Sequence, residues 1–262
     1  MKNLIKKITV TGIVFALIFA CSSESSATAS ETTPHNWFCK HTDSDKVPPC
    51  DPSLSFIEKH GGYYVDRKVS DEKKVIYLTF DAGYENGNVE KIVDVLKEKN
   101  VTGAFFVLEN IIRTNPDLMK KMFENGDLIC NHTSKHRDMT SCSSKEDFEK
   151  ELSGLEATLR EVTGIEMSKF YRPPEGRFSE RDLKWADELG YKSVFWSFAY
   201  ADWDNAKQPD PDKAIEKILK NTHNGEIILL HPTSSTNAAI LGRLIDSWKE
   251  MGYSFGSLND LA

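Results

Sequence analysis

Apolar residues follow two alternating patterns along the chain from about residue 72 onward. Runs of β-branched and aromatic residues at 75–80 and 102–107 each predict a strand. Between these runs the apolar residues recur every three or four positions, as on the buried face of a helix: Val89, Ile92, Val93 and Leu96. This β-α-β order predicts a sheet of parallel strands.

The alternation continues to the end of the chain. A helix is predicted from Pro116 to a stop at Gly126, and a longer helix has a predicted capping box at Ser143 and Glu146 and a stop at Gly164. Further strands are predicted to end near 131 and to cover 168–171, 192–198, 226–230 and 253–255. About seven strands interleaved with helices favour an α/β fold, an irregular (β/α) barrel of parallel strands, over an open doubly wound sheet.

Residues 1–21 have the pattern of an export signal. A basic start precedes an apolar core at 8–20, which is shorter than the roughly 20 residues that a membrane-spanning helix needs. The ending at Cys21 resembles a bacterial lipobox, in which the cysteine becomes lipidated. The alternative is an ordinary signal peptide that is cleaved after Ala27 or Ala29. Both interpretations place the protein outside the cytoplasm, and the lipobox predicts a lipid anchor on the outer face of the cytoplasmic membrane.

The segment that follows this signal is predicted to have two parts. The Ser/Thr-rich stretch 22–35 predicts a flexible tether. We expect 36–71 to be an N-terminal extension packed on the barrel, and 72–262 to be the barrel domain itself.

Composition and charge exclude two classes of protein. The 262 residues are 39% hydrophobic and 28% charged, which is ordinary for a globular protein, and a membrane bundle is excluded because only one long apolar run exists. The net charge is −7, and it becomes −10 without residues 1–21. We therefore expect no binding to nucleic acid.

Four cysteines besides Cys21 form two pairs of near neighbours along the chain. In an oxidising compartment we expect the disulfides Cys39–Cys50 and Cys130–Cys142, although three connectivities are possible. A zinc site is a second alternative, but the C-x-x-C spacing of zinc ribbons is absent. Free buried thiols are the third.

Side chains with catalytic potential follow the predicted strands at their carboxyl ends. In parallel α/β folds the loops at this edge converge and carry the active site. Each residue alone has an ordinary interpretation, such as a surface histidine pair or a loop cap, so their shared position is the stronger observation. The residues are Asp81, His132, His136, Arg172, Asp202 and His231.

Five segments in this order resemble the polysaccharide deacetylase family, the NodB-homology carbohydrate esterases. The resemblance covers about 72–260 and implies that 72–262 is a NodB-homology deacetylase domain. The segments are Thr79-Phe80-Asp81-Ala82-Gly83, Asn131-His132-Thr133-Ser134-Lys135-His136, Arg172-Pro173-Pro174-Glu175-Gly176, Asp202-Trp203 and Leu229-Leu230-His231.

Two further segments narrow the resemblance to one branch of the family. Gly83-Tyr84-Glu85-Asn86-Gly87 and Phe195-Trp196-Ser197 are similar to the delta-lactam-biosynthetic de-N-acetylases of spore-forming bacteria. This implies deacetylation of peptide-free N-acetylmuramic acid, so that muramic delta-lactam can form in spore cortex. The forespore intermembrane space is then an alternative location.

The resemblance implies a divalent metal on His132 and His136, which would activate a water molecule and polarise the acetyl carbonyl. The family pattern has an aspartate as third ligand where this chain has Ala82, a departure that the delta-lactam branch shares. Zn²⁺ is the expected metal, and Mn²⁺, Co²⁺ or Mg²⁺ are alternatives because of Ala82. Glu85 or Asn86 could fill the third position.

The resemblance also implies the acid and base roles. Asp81 would be the general base, held ionised by Arg172. His231 would be the general acid that protonates the departing amine, with Asp202 keeping it oriented. The metal and a backbone N–H would stabilise the oxyanion. The implied substrate-binding residues are Trp203, which would line the acetyl pocket, Pro174, Gly176 and Tyr84.

The sequence therefore predicts a metal-assisted hydrolase that N-deacetylates peptidoglycan. The alternatives are a general peptidoglycan N-acetylglucosamine or chitooligosaccharide deacetylase, and a wall-binding lipoprotein whose site has decayed, for which Ala82 is the only support. The expected partner is the peptidoglycan glycan strand. Membrane contact is expected only through the lipid anchor, and no protein partner is predicted.

Overall fold

A computed structural model describes residues 30–42, 46–70 and 72–261, so the predicted signal, the lipobox and most of the tether lie outside the described residues. The strands are β1 (His35–Asn36), β2 (Val75–Ala82), β3 (Ala104–Val107), β4 (Leu128–Asn131), β5 (Ser168–Tyr171), β6 (Arg177–Phe178), β7 (Lys192–Ser193), β8 (Phe198–Ala199), β9 (Glu226–Leu230) and β10 (Ser254–Phe255). The helices are α1 (Phe56–Lys59), α2 (Val89–Lys99), α3 (Glu109–Thr114), α4 (Pro116–Asn125), α5 (Lys145–Thr163), α6 (Glu180–Glu188), α7 (Pro211–Asn221) and α8 (Ser235–Glu250). Within these ranges no helix has the length and apolarity needed to cross a membrane.

Seven parallel strands form the main sheet in the order β7-β5-β4-β3-β2-β9-β8, and β10 pairs in parallel with the start of β2. Side chains alternate between the two faces of each strand. On β2, Ile76, Leu78 and Phe80 pack in a large core with the helices, whereas Val75 and Tyr77 pack in a second core on the other face. The fold is a half-barrel, which confirms the predicted irregular barrel of about seven parallel strands.

Residues 63–66 connect β7, at one edge of the sheet, to the residue that precedes β9. The Tyr63 N–H donates to the Ser193 carbonyl at 2.8 Å, and the Asp66 N–H donates to the Gly225 carbonyl at 2.8 Å. Gly225 has a φ of +75°, and a Cβ there would lie 2.1 Å from the Asp66 carbonyl oxygen. Only glycine therefore permits this approach of the two backbones.

Residues 35–37 pack against the loop that follows β5. β1 pairs antiparallel with β6, and the Trp37 N–H donates to the Gly176 carbonyl at 2.7 Å. The indole Nε1 of Trp37 donates to the Trp196 carbonyl at 2.9 Å, and its ring packs on Tyr64 and Phe195. The position of the β5–β6 loop thus depends on residues from the N-terminal part of the chain.

The predicted ends of α5 are correct at one terminus and wrong at the other. Gly164 ends the helix in the left-handed conformation, as predicted. The N-cap, however, is Ser144, whose Oγ accepts from the Asp147 N–H at 3.2 Å. The predicted capping box of Ser143 and Glu146 is therefore wrong by one residue.

The predicted strand 192–198 is also wrong, since it divides into β7 and β8. The carbonyls between these strands accept hydrogen bonds from side chains. Arg172 donates to the carbonyls of Val194 and Phe195 at 2.9 and 3.3 Å, and the Trp37 indole N–H donates to the carbonyl of Trp196. The backbone at 194–197 therefore supports the site beside it.

The predicted disulfides are wrong, because all four cysteines of the described ranges are free thiols. Cys130 belongs to the core that contains Val75 and Tyr77, whereas Cys142 packs in a separate cluster. Cys50 packs against the cluster around Trp37. Because the partners of the second pair belong to different clusters, near neighbours in sequence do not become neighbours in space.

Candidate active site

A cavity of about 650 Å³ lies at the carboxyl ends of the strands. Four of the predicted catalytic and metal-binding residues line it, and the other two are buried beside them with 1% exposure or less. The structure therefore brings together residues from the ends of β2, β4, β5, β8 and β9. The lining residues of this set are Asp81, His132, His136 and His231, and the buried ones are Arg172 and Asp202.

Arg172 is completely buried and holds the carboxylate of Asp81. Its Nη1 donates to Asp81 Oδ1 at 2.7 Å, and its Nη2 donates to Thr79 Oγ1 at 2.8 Å. Burial by itself would raise the pKa of Asp81, but the charge and hydrogen bond of Arg172, together with the two nearby imidazoles of His132 and His231, outweigh that effect and lower the pKa below its usual value. Asp81 is therefore an ionised carboxylate that faces the cavity.

His132 is a buried and neutral imidazole. Its Nδ1 lies 2.8 Å from the Arg172 carbonyl, which can only accept, so Nδ1 carries the proton and Nε2 presents a lone pair. That Nε2 lies 3.6 Å from Asp81 Oδ2. Burial lowers the pKa of His132 to about 4. The ring of His136 is 5.0 Å away, at an interplanar angle of 72°.

The loop that carries the two histidines is held in an uncommon backbone conformation. Thr133 and His136 have φ values of +70° and +55°, in the left-handed region that few residues other than glycine adopt. Asn131 stabilises this loop, because its Oδ1 accepts from the Thr133 N–H at 2.9 Å and its Nδ2 donates to the Leu152 carbonyl at 3.0 Å. The local fold thus directs both imidazoles toward the cavity.

The donor set fits a divalent cation with two protein ligands. A neutral imidazole with an outward lone pair is a normal metal ligand, and its other nitrogen is fixed by a carbonyl, as in many metal sites. Ala82 is buried and offers only a methyl group at the family's third position. Over the described ranges no group of three His, Cys, Asp or Glu side chains could hold a metal ion.

Glu85 and Asn86, in the loop after β2, make hydrogen bonds to backbone groups. Glu85 Oε2 accepts from the Glu90 N–H at 2.8 Å, at the start of α2. Asn86 Nδ2 donates to the Thr233 carbonyl at 2.9 Å. Neither side chain lines the cavity, so the structure gives no support to the hypothesis that one of them replaces the missing ligand.

His231 and Asp202 form a tight pair at the opposite wall. The His231 Nδ1 lies 2.7 Å from Asp202 Oδ1, and the His231 backbone N–H donates to Asp202 Oδ2 at 2.8 Å. Burial disfavours the charged imidazole, but the hydrogen bond and charge of Asp202 and the charge of Asp81 outweigh it. The pKa of His231 is therefore raised above its usual value, as a general acid requires.

The predicted substrate-binding aromatics lie at the mouth of the cavity. Trp203 is 62% exposed and its ring centroid is 6.2 Å from that of His231. Tyr84 is 45% exposed, and its hydroxyl accepts from Asn205 Nδ2 at 2.6 Å. Both rings offer free faces on which a sugar can stack.

The loop after β5 forms another part of the rim. Gly176 lines the cavity as predicted, whereas Pro174 is buried and is not among the lining residues. Glu175 lines the cavity with a φ of +57°, a strained conformation for a residue with a Cβ. A Cβ at Gly176 would lie 2.9 Å from the ring of Trp196, so the tight fit requires glycine.

Sequence reasoning missed several residues of this site. Some lie inside the recognised motifs but carry no separate signal, such as Thr79 and Glu175. Trp196 also lies inside a recognised segment. Others lie between or after the motifs, and only the folded chain shows that they belong here: Leu108, Tyr200, Thr233 and Asn237.

Comparison with known proteins finds similar proteins along most of the chain. The family model for polysaccharide deacetylase matches residues 68–194. The chain is 37% identical over 250 residues to the peptidoglycan-N-acetylmuramic acid deacetylase PdaA of Bacillus subtilis, which covers 95% of this chain and 94% of that protein. It is 30% identical over 203 residues to a peptidoglycan-N-acetylglucosamine deacetylase of Bacillus cereus, covering 76% of this chain and 92% of that one.

The solved structure of Bacillus subtilis PdaA, a family 4 carbohydrate esterase, has the same fold. It matches with a TM-score of 0.83 and 38% identity, covering 88% of this chain and 97% of that chain.

Proposed function

The chain belongs to the polysaccharide deacetylase family of hydrolases, and on that premise we propose that it removes the acetyl group from peptide-free N-acetylmuramic acid in peptidoglycan. The observation that carries this proposal is that an ionised carboxylate, Asp81, and an imidazole with raised pKa, His231, face one cavity beside His132 and His136. The similarity to PdaA supports muramic acid as the sugar. The free amine produced can then close to the delta-lactam of spore cortex.

Asp81 is the general base in this proposal. Amide hydrolysis needs an activated water, because the acetamide carbonyl is a poor electrophile. Asp81 is ionised at neutral pH and fixed at one oxygen by Arg172, so Oδ2 remains to take the proton of a water molecule in the cavity.

His231 is the general acid. The amine of the sugar leaves only when it is protonated, and the raised pKa of His231 favours the protonated imidazole that can supply this proton. Because Nδ1 is bound to Asp202, the proton is delivered from Nε2.

His132 and His136 are the residues that would hold a divalent metal, with Zn²⁺ as the expected ion. When bound, such an ion lowers the pKa of a water molecule and polarises a carbonyl oxygen. The protein's own contribution is to fix the His132 tautomer through the Arg172 carbonyl and to leave the remaining coordination positions to solvent and substrate.

The same proposal implies where the enzyme acts and which parts of the chain place it there. An enzyme that acts on wall glycan works outside the cytoplasmic membrane, so residues 1–21 would export it and Cys21 would anchor it through lipid. Residues 36–71 would form one unit with the domain 72–262, as the contacts of Trp37, Tyr63 and Asp66 with the barrel suggest.

One observation favours N-acetylglucosamine as a second candidate substrate. Muramic acid without its peptide carries a free carboxylate, and among the described residues that line the cavity none is a lysine or an arginine. Glu175 adds a further negative charge at the rim. A neutral sugar avoids this repulsion.

Acetate release from defined glycans tests the proposal. Wild-type protein with added Zn²⁺ should release acetate from peptide-free muramic glycans faster than from chitooligosaccharides, and a chelator should stop the reaction. Asp81→Asn should lose at least about 100-fold in kcat, as expected for the loss of a general base. Asp117→Asn, which changes an exposed carboxylate on α4, is the matched control and should keep full activity.

Two outcomes would contradict parts of this proposal. Acetate from chitooligosaccharides alone would make N-acetylglucosamine the substrate. The absence of acetate from both glycans with every metal would reject the hydrolytic function.

A further inference from the structure

We infer that Asn237, on the first turn of α8, is a positioning residue that fixes the acid His231 through Asp202. Its side chain is 1% exposed and does not line the cavity, so it does not touch the substrate. The inference rests on the proposed function only where it names His231 as the acid. The geometry itself is independent of the substrate.

The orientation of the Asn237 amide is determined by its partners. Nδ2 lies 2.6 Å from Asp202 Oδ2 and 3.0 Å from the His231 carbonyl oxygen. An ionised carboxylate and a carbonyl can only accept, so the NH₂ group must face them. The amide oxygen then accepts from the Tyr200 hydroxyl on the other side. A flipped amide would lose both hydrogen bonds to Asp202 and His231.

The Asn237 amide fixes the orientation of the Asp202 carboxylate. Asp202 Oδ2 accepts from both Asn237 Nδ2 and the His231 backbone N–H, whereas Oδ1 lies 2.7 Å from His231 Nδ1. With Oδ2 held by two donors the carboxylate cannot rotate. Nδ1 of the imidazole therefore keeps its proton against Asp202, and Nε2, which carries the acid proton, is directed into the cavity.

Asn237 also connects the two loops that supply the acid pair. Its backbone N–H donates at 3.1 Å to Oγ of Ser234, the N-cap of α8, and the Ser234 N–H donates at 3.1 Å to the His231 carbonyl. Tyr200 and Asp202 belong to the loop after β8. One side chain on α8 thus ties the loop after β8 to the loop after β9.

Substitution of Asn237 should therefore affect turnover more than substrate binding. Asn237→Leu removes the donors at nearly the same volume, and Asn237→Asp places a second carboxyl group against Asp202. We expect kcat to fall about 100-fold, because small displacements of a catalytic group have effects of this size. KM should stay within about twofold, since no contact with substrate is removed.

Thr236→Val is the matched control. Thr236 precedes Asn237 on α8, is 3% exposed, and donates its hydroxyl to the Pro209 carbonyl at 2.7 Å. The substitution also deletes one buried hydrogen bond, but Thr236 has no hydrogen bond to Asp202 or His231. Its kcat should stay close to the wild-type value.

Nitrogen-15 NMR of labelled histidines gives a second readout that needs no turnover. At a pH high enough to remove the Nε2 proton, the wild type should show His231 with its remaining proton on Nδ1. Both Asn237 variants should lose this single tautomer, whereas Thr236→Val and the wild type should agree. His231→Gln assigns the resonance among the seven histidines. If Asn237→Leu does not fold, Asn237→Asp and Tyr200→Phe test the inference instead. Tyr200→Phe removes one hydrogen bond to the Asn237 amide and should lower kcat less than Asn237→Asp does.

A kcat in the folded variants equal to that of Thr236→Val would overturn the inference. So would an unchanged His231 tautomer. If the wild type releases no acetate from any glycan, the proposed function fails, and the tautomer comparison still decides the role of Asn237.

Discussion

Asp127 is a buried carboxylate outside the cavity, and it bears on stability rather than on catalysis. Its Oδ1 accepts from the Gly103 N–H at 2.8 Å, while Oδ2 is buried without a hydrogen-bond partner among the described residues. Burial raises its pKa to about 7. The folded protein therefore holds this proton at a pH where the unfolded chain, with a pKa of about 3.9, has lost it.

Asp127→Asn should change the pH dependence of stability. In the wild type, the contribution of Asp127 to the free energy of unfolding falls as the pH rises from about 4 to about 7 and is constant above that window. The variant lacks this fall, so it should be more stable at pH 8, by up to about 4 kcal/mol. Urea unfolding at pH 4 and pH 8 measures the difference.

Asp117→Asn, an exposed change on α4, should show no such pH-dependent difference. Equal stability of wild type and Asp127→Asn at pH 8 would mean that Asp127 is solvated in the folded protein.

At the residue scale, the sequence predicted the polar groups that follow strands and could not predict those that act from a distance. Asp81 and His231 each come directly after a run of apolar strand residues, so their common edge follows from the pattern. Asn237 lies on a helix, and its contact with Asp202 depends on the packing of α8 against the loop after β8. No local spacing encodes that contact.

At the element scale, the close approach of Gly225 and Asp66 joins the N-terminal segment to β9. Gly225→Ala should lower the free energy of unfolding by about 2 kcal/mol or more, because a positive φ is strained for alanine and the Cβ would meet the Asp66 carbonyl at 2.1 Å. Thermal or urea unfolding measures the loss.

Gly252→Ala is the control for this substitution. Gly252 has a φ of +84° with nothing within 4 Å of a Cβ, so alanine there should cost only the conformational part, about 1 kcal/mol. If the two variants were equally stable, the contact between Gly225 and Asp66 would not constrain the fold.

Predictions of elements succeeded where a local pattern was sufficient. The apolar runs that became β2 and β9 are continuous and pair with each other along five residues. Residues 192–198 are also rich in aromatic side chains, but Arg172 and the Trp37 indole donate hydrogen bonds to the backbone carbonyls that a continuous strand would use for pairing. The two-residue strands β1 and β6 have no signal in the sequence, because they exist only as each other's partner.

At the scale of the whole molecule, Trp37 couples the N-terminal part of the chain to the active-site rim. Trp37→Ala should lower the free energy of unfolding by about 3 to 5 kcal/mol, the usual cost of removing a buried tryptophan. It should also raise KM, because the loop that contains Gly176 loses its support. Unfolding curves and steady-state kinetics measure the two effects.

Phe38→Ala is the matched control, since Phe38 is the next residue and is 68% exposed. It should change stability by less than about 0.5 kcal/mol. A similar effect of both substitutions would contradict the supporting role of Trp37.

The parallel half-barrel was predictable because alternating strands and helices allow few architectures. The link from Tyr63 and Asp66 to the barrel was not, since its backbone hydrogen bonds join parts of the chain about 130 to 160 residues apart. The same limit explains the wrong disulfides, because sequence separation does not show on which face of a sheet a cysteine lies.

The four free thiols have a practical consequence for how this protein matures. With Cys39, Cys50, Cys130 and Cys142 unpaired, the fold described at 30–42, 46–70 and 72–261 relies on packing and hydrogen bonds, and no oxidase or isomerase is needed to reach it. Dithiothreitol should leave its melting temperature unchanged. Recombinant synthesis in a reducing cytosol should therefore yield the same folded enzyme as synthesis in an oxidising compartment.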